Sequence, residues 1–459
     1  MNLRFSKPVD MGSGSIPRVI LTLAIPAMAS MFFQNLYAFI DTMFISWLGT
    51  VPLAAQALSI PVFYVALSLG KGVQVGTATL ISRTRGEGKT EKVEVLARAA
   101  LPLLLLVMSP IFLLLVPGIS DAFFGIMGAR GEMLAQVYRY TFWLVLGFPV
   151  MAYVMVAEAI FMSHGDTFTP MKAMLLGNGA NLVLAPLLMF ALNLGIAGAS
   201  MAMLLGQILS AIYIGTRLKQ HGLFVPTLRW QPEFIAIWRE TGRLGAFVAL
   251  TFLISPVSLS LINGVLASFG AAPVAAWNIM SRLEMLGLLP LNGMAASMIP
   301  YLSFNMGQYK YQRVKDGIKY FLIVAIVFVL PMMTIFISLP QYLMFPFRAS
   351  PEVMELGKHA IRIAAFGHIL APIDLALYSL AQGLQKPWYP MFTLGMRVIV
   401  MRYTLALYLG ARWGAFGIYW CQPSSMALGA IISAVILWKL MQRVSAAVKP
   451  ADASSPSKV

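Results

Sequence analysis

Twelve stretches of this chain run for about twenty residues or more with few or no charges, the length a helix needs to cross a ~30 Å hydrocarbon layer. They lie near 16–47, 53–82, 94–118, 134–163, 168–191, 196–218, 240–268, 274–303, 314–344, 358–384, 390–411 and 416–442. No stretch shows the period-two alternation of a membrane-spanning strand, which excludes a β-barrel. The chain has 59% hydrophobic and 11% charged residues over 459 positions, too much apolar surface for any one water-soluble core. The fold class is therefore an all-α polytopic membrane protein. The first apolar run is too long for the core of a cleavable signal, so no removable leader is expected.

The net charge of +16 is not spread over a folded face, as nucleic-acid binding would require, but sits in short connectors. Basic clusters follow the second span (Arg83, Arg85, Lys89, Lys92), the sixth (Arg217, Lys219, Arg229, Arg239) and the eighth (Lys310, Arg313, Lys315). On the other side, 49–52, 193–195 and 270–273 are uncharged, and the two longer connectors mix Arg130 with Asp121 and Glu132, and Arg348 with Glu352 and Glu355. By the positive-inside rule both termini are cytoplasmic. The expected organisation is a cytoplasmic segment 1–15, an N-lobe 16–218, a linker 219–239, a C-lobe 240–442 and a disordered tail 443–459. Cys421, the sole cysteine, lies in an apolar segment and reads as a small packing residue.

The halves repeat. GTVPLAA at 49–55 reappears as GAAPVAA at 270–276, and the same offset of 221 residues places Gly72 on Gly293, Gly86 on Gly307, Lys89 on Lys310 and Val93 on Val314. Six spans separate the copies, so the halves share orientation and are related by an axis along the membrane normal. Two parallel six-helix lobes suit a transporter that opens alternately to either side.

Ionisable groups within spans are costly, and so mark function. In the first span Gln34, Tyr37 and Asp41 are spaced by three and four residues and share a helical face, with Asn35 beside them. Asp41 has no basic residue near it in its own helix, so binding a proton or a cation is the inexpensive way to neutralise it. Asn178 and Asn181 in the fifth span reach a similar depth and could face Asp41; they could equally serve only to hold helices together. Asp374, near Pro372 and His368, lies about mid-membrane. Glu284 and Arg282 are too close in sequence to share a face readily, and each is free to pair with other helices. Glu158 lies near an inner helix end, while Lys71, Arg397 and Arg402 either snorkel or line a cavity. Pro26 bends the first span and is a candidate hinge. Walker A, HExxH and GxSxG motifs are absent, so transport energy must come from a gradient, and an enzyme is not expected.

The string from Ile25-Pro26 through Gln34, Asn35 and Tyr37 to Asp41, Gly49 and Pro52, with the second-half counterpart at 270–276, Arg282, Glu284, Pro290, Gly293 and Gly307, resembles multidrug and toxic compound extrusion (MATE) transporters. In the first span it is most similar to their bacterial DNA-damage-inducible branch. The resemblance implies two lobes in a V around a central cleft. It also implies export of cationic or amphipathic compounds against H⁺ or Na⁺ from the bacterial inner membrane by a monomer, with no cofactor beyond the coupling ion. Asp41, Tyr37, Asn178 and Asn181 match the family's ion site, with Na⁺ at Asp41 and Asn178 as one option, and Pro26 matches its hinge. Asp374 looks like an ion-coupling acid of the norfloxacin-exporter branch, and Gln34, Asn35, Arg282 and Glu284 are candidates for the substrate cleft. Where many relatives place a second aspartate, this chain has Ala185 before Pro186. The rival within the superfamily is a flippase for a lipid-linked precursor, whose phosphates would want Lys71, Arg397 and Arg402.

Overall fold

A computed structural model describes residues 8–223, 226, 231–347 and 349–446. Arg229 and Arg348, and the tail expected from 447 on, lie outside the described residues. Within them the chain is helical, with no strand. The helices are α1 (Ile16–Ser46), α2 (Thr50–Gly86), α3 (Thr90–Met108), α4 (Pro117–Ile126), α5 (Glu132–Ser163), α6 (Phe168–Pro186), α7 (Gly195–Gln220), α8 (Phe234–Ala267), α9 (Ala271–Gly307), α10 (Tyr311–Ser338), α11 (Pro340–Met344), α12 (Pro351–His368), α13 (Ala371–Gly383), α14 (Trp388–Gly395) and α15 (Arg402–Ala446).

Ten helical runs among the described residues are long and apolar enough to cross a membrane, and α12 with α13 makes an eleventh, bent by 49°. The last of the ten, Trp388–Ala446, has 59 residues. At ~1.5 Å per residue it would reach far beyond any bilayer as a straight rod. It breaks at Gly414 (φ 62°, ψ −150°) and folds back, so that Arg402 meets Ser425, Arg397 lies against Gly429, and Leu409 against Gly417. This hairpin supplies the twelfth crossing, as the sequence predicts.

The repeat is a repeat of backbone geometry. Gly49 and Gly270 precede α2 and α9 with φ/ψ of 115°/−178° and 108°/174°, a region essentially closed to residues with a Cβ. After these helices, the amide of Lys89 bonds the Thr84 carbonyl at 3.1 Å and that of Lys310 bonds the Asn305 carbonyl at 2.9 Å. The preceding residues, Gly88 and Tyr309, both take positive φ (76° and 58°), at no cost for the glycine and with strain for the tyrosine. After α5, Asp166 N to Phe161 O at 3.0 Å is matched after α13 by Lys386 N to Ala381 O at 2.7 Å.

The described residues group into two compact units, one within 8–10 and 25–249, the other within 11–24 and 250–446. Of the three internal boundaries, the first precedes α1, the second lies inside α1, beside Pro26, and the third inside α8. In the first unit, α8 approaches α2 so closely that a Cβ at Gly72 would meet the Gly245 carbonyl oxygen at 2.5 Å. Small residues allow such backbone contact where lipid supplies no hydrophobic drive between helices. Its core is apolar and includes fully buried Phe124, Phe148 and Phe161. The second unit packs Trp277 against Tyr419, nearly parallel at 6.4 Å, and holds Cys421 as a buried free thiol. Its start is anchored by basic residues: Lys310 Nζ donates to the Gly12 carbonyl and Arg313 Nη2 to that of Gly14, both at 2.8 Å.

Just beyond α5, His164 Nδ1 donates to the Ile160 carbonyl at 2.7 Å, while Arg85 donates to the Ser163 carbonyl at 2.6 Å. Arg85 thereby satisfies a carbonyl near the helix end, while the Ile160 carbonyl also accepts from the His164 amide at 3.2 Å. Burial, aided by the nearby Arg85, pushes the His164 imidazole down to about 4, against the opposing pull of its bond to Ile160. The folded state therefore holds this group neutral. Its stabilisation is complete above the unfolded value of 6.5 and is lost as pH falls toward 4. Melting curves of the purified protein are expected to drop across that window, and His164→Gln to flatten the acid limb.

Candidate ion-coupling site

α1 and α2 form a hairpin with its turn around 47–49, so positions equally far from the turn face each other. Asp41 and Gln56 are such a pair to within one residue. Gln56 Nε2 donates to Asp41 Oδ2 at 3.4 Å, a long hydrogen bond. Asp41 Oδ1 is buried and has no hydrogen-bond partner. Tyr37, one turn earlier on α1, and Tyr140 of α5 lie within electrostatic reach of the carboxyl, and the Tyr140 hydroxyl also engages Gln56. No salt bridge reaches Asp41 among the described residues. One weak amide donor does not replace the water a carboxylate loses on burial, so the group calls for a bound proton or cation.

The other candidates fall in several places. Asn178 Nδ2 contacts the sulfur of Met174 at 3.0 Å, while Asn181, 2% exposed, lies beside Gly206 of α7 with its amide nitrogen unsatisfied. No hydrogen bond joins either to Asp41 among the described residues. Ala185 is fully buried in the apolar core of this unit, so no second carboxyl stands there. Gln34 is exposed, and Asn35 bonds back to the Met31 carbonyl of its own helix at 2.9 Å. Pro26 offers no N–H to the Thr22 carbonyl. Hydroxyls on either side bond back along the helix, Thr22 to Arg18 at 2.7 Å and Ser30 to Pro26 at 2.9 Å, an arrangement that favours bending.

Elsewhere, the acids Glu158, Asp374 and Glu284 within the spans have partners. Lys71 donates to Gln74 at 2.8 Å and Gln74 to Glu158 at 2.7 Å, linking cation and anion through an amide. Asp374, in the first turn of α13, accepts from Arg397 Nε at 3.2 Å. Arg397 sits in a single π-helical turn, 396–401, with its stem laid over Gly429. Glu284 accepts from Gln422 and approaches His368, while Arg282 is exposed on another side of α9. At the hairpin position of the second unit that corresponds to Asp41 and Gln56, displaced by one residue, Asn263 and Asn278 exchange amide bonds at 3.2 and 3.5 Å.

Sequence reasoning missed Gln56 and Tyr140. Counting equal steps back from the three-residue turn leads from Asp41 to Ala55, one residue short of Gln56. Tyr140 carries no such signal, because its approach is set by the packing of α5 on α2.

These features define a multi-pass helical membrane protein with a duplicated six-helix plan and one unpaired intramembrane acid. The family model MatE matches residues 26–187 and 248–407, and the chain belongs to this family of multidrug and toxic compound extrusion transporters. It is similar to a FAD transporter of Shewanella oneidensis, 29% identical over 75% of this chain and 77% of that one. It is also similar to the multidrug export protein MepA of Staphylococcus aureus, 22% identical over 93% and 95%. Among solved structures, a MATE transporter in the bent conformation aligns with TM-score 0.87 and 27% identity over 96% of this chain and 98% of that chain. A MOP superfamily transporter from Pyrococcus furiosus, described as having a binding pocket of reverse polarity, aligns at 0.86 and 26% over 97% and 100%.

Removing Arg397 would strand Asp374 without its cation. Arg397→Met is expected to cost about 3–5 kcal/mol of stability, and Asp374→Asn in the same chain to recover most of it, measured by thermal unfolding in detergent.

Proposed function

We propose that this transporter exports cationic or amphipathic small molecules by antiport against H⁺ or Na⁺ under alternating access, with Asp41 as the coupling group. The observation that carries the reading is the buried Asp41 Oδ1 without a partner, in a chain whose other intramembrane acids are all engaged. When Asp41 is charged, the site favours an exchangeable cation. When it is neutral, the site sits comfortably in its apolar surroundings. An ion drives a cycle only if it binds one conformation more tightly than the other. Pro26, on the same helix, gives such a difference a place to act. Protons are favoured over Na⁺, because one carboxyl and a few amide or phenol oxygens form a poor shell for a hard cation. Asn178 remains the proposed additional Na⁺ ligand should sodium prove to be the driver.

The membrane is the bacterial inner membrane, with both termini cytoplasmic by the distribution of Lys and Arg, and the working unit is a monomer. The flippase reading draws on Lys71, Arg397 and Arg402 as free cations for phosphate. Lys71 and Arg397 are tied to acids, directly or through Gln74, and Arg402 lies near Glu284, which weakens it.

The test is efflux from proteoliposomes with pH and sodium gradients imposed separately. Asp41→Asn is expected to lower gradient-driven efflux roughly tenfold or more, while counterflow without a gradient survives. Ion-driven efflux equal to wild type would remove Asp41 from the mechanism.

A further inference from the structure

In the first unit, α5 and α7 leave a groove between them of about 440 Å³, to which α5 gives Val150 and Tyr153 and α7 gives Ile208, Ala211, Gly215 and Lys219. From Ile208 to Lys219 the groove follows α7 for ~16 Å at ~1.5 Å per residue, about the depth of one leaflet in a ~30 Å hydrocarbon layer. Small residues on α7 make the hollow: a Cβ at Gly215 would stand 2.7 Å from the Tyr153 hydroxyl oxygen. That hydroxyl has no hydrogen-bond partner among the described residues. It is a donor aimed into the groove without an acceptor.

The charge of the groove sits at one end. Lys219, in the last turn of α7, is exposed, and its ammonium meets no acid among the described residues. No acid lines the groove. The Thr216 hydroxyl gives its proton to the Tyr213 carbonyl at 2.7 Å. Arg217 is occupied within its own turn, donating to Gln220 at 3.0 Å with its guanidinium 5.3 Å from the centre of the Tyr213 ring. His221 Nδ1 likewise lies 2.9 Å from the Arg217 carbonyl. Lys219 and Tyr153 are the donors that remain. The second half of the chain supplies a comparison. At the offset that carries Asp166 to Lys386, Lys219 falls on Lys439, but Gly215 and Ala211 fall on Val435 and Ile431, exposed by 47% and 63%, and Tyr153 falls on Ile373. The lysine persists where the hollow and the hydroxyl do not, so the groove is a feature of the first half and not of the repeated helix plan.

We propose that this groove binds one anionic phospholipid from the leaflet on the Lys219 side. The phosphate sits against the Lys219 ammonium, a glycerol ester carbonyl accepts from the Tyr153 hydroxyl, and one acyl chain runs along Ala211, Ile208 and Val150. Charge complementarity selects the occupant, since basic pockets between spans, at headgroup level, are where membrane proteins hold acidic lipids. A zwitterionic lipid carries its own ammonium, which competes with Lys219 for the phosphate, and a lipid of net negative charge does not. The hydroxyl lies beside Gly215, one turn or ~6 Å deeper than Lys219, so the two donors follow the order of phosphate and ester in the lipid. The flexible lysine stem lets the ammonium rise to the phosphate while its methylenes stay in the apolar layer. Beyond Gly215 the walls are aliphatic and take a hydrocarbon chain. No part of the site touches Asp41, and the inference does not depend on ion coupling there.

The test is native mass spectrometry of the full-length protein in detergent, titrated separately with dioleoyl phosphatidylglycerol and dioleoyl phosphatidylcholine, which share their chains and differ in headgroup charge. Wild type is expected to bind the first phosphatidylglycerol roughly fivefold more tightly than the first phosphatidylcholine, the preference one lysine supplies at a membrane surface. Lys219→Gln, a change at an exposed helix end, should abolish that preference. Gly215→Leu fills the hollow and should weaken the first lipid of either kind to the level of later ones. Tyr153→Phe keeps the ring and should weaken both lipids alike by about fivefold, which tests the site even if Gly215→Leu does not fold. Lys439→Gln, which removes the matching charge of the second half, should bind both lipids as wild type does. Equal affinity for the two lipids in wild type, or a preference that survives Lys219→Gln, overturns the proposal. So does an equal loss in Lys439→Gln, the mark of a general surface-charge effect, or unchanged binding in Tyr153→Phe. Asp41→Asn should leave lipid binding untouched, so the two readings stand or fall separately.

Discussion

Hydrocarbon cannot solvate a charge, and the structure answers that constraint at each intramembrane acid in a different way. Glu158 is linked to Lys71 through an amide, Asp374 is held by a guanidinium, and Glu284 sits among Gln422, His368 and two arginines. Asp41 alone among these acids has nothing stronger than one long amide bond. The functional reading follows from that difference. A paired acid is part of the framework, whereas an unpaired one must find its counter-charge outside the protein.

The two halves share a backbone plan and diverge in chemistry. The glycines ahead of α2 and α9, the turns ending at Lys89 and Lys310, and those ending at Asp166 and Lys386 superpose in hydrogen-bond pattern. At equivalent points the first half places a carboxylate where the second places neutral amides or a lysine. Asp166 caps the start of α6, accepting from Phe168 and Thr169 at 2.9 Å, whereas Lys386 has no capacity to accept. Duplication thus preserved the helices and freed the polar positions to specialise.

Much of this architecture was legible in the sequence, because apolar run length and the spacing of glycines are local signals. The twelve crossings and the repeat follow from them, and the break at Gly414 sits where the sequence separates its last two spans. The chemistry was less legible. Asp41 could be picked out by its lack of neighbours, but its companions are set by tertiary packing. Gln56 comes from the far leg of a hairpin and Tyr140 from a helix about a hundred residues away. Arg397 read as a free cation because its acid lies over twenty residues earlier, across a turn, and the π-helical turn that aims it leaves no mark in composition. The Asn178 amide, aligned with Asp41 by depth, turns to a methionine, and Asn181 packs its Cβ beside Gly206 of a neighbouring helix.

The division of the chain into units has a consequence for biosynthesis. Residues 11–24 emerge from the ribosome among the first, yet their packing partners are in the unit that begins at 250, and the first unit is complete only once 249 has been made. A chain inserted in order from its N-terminus cannot finish one half before starting the next. The opening turns of α1 therefore meet the residues they group with only after position 250 has been made.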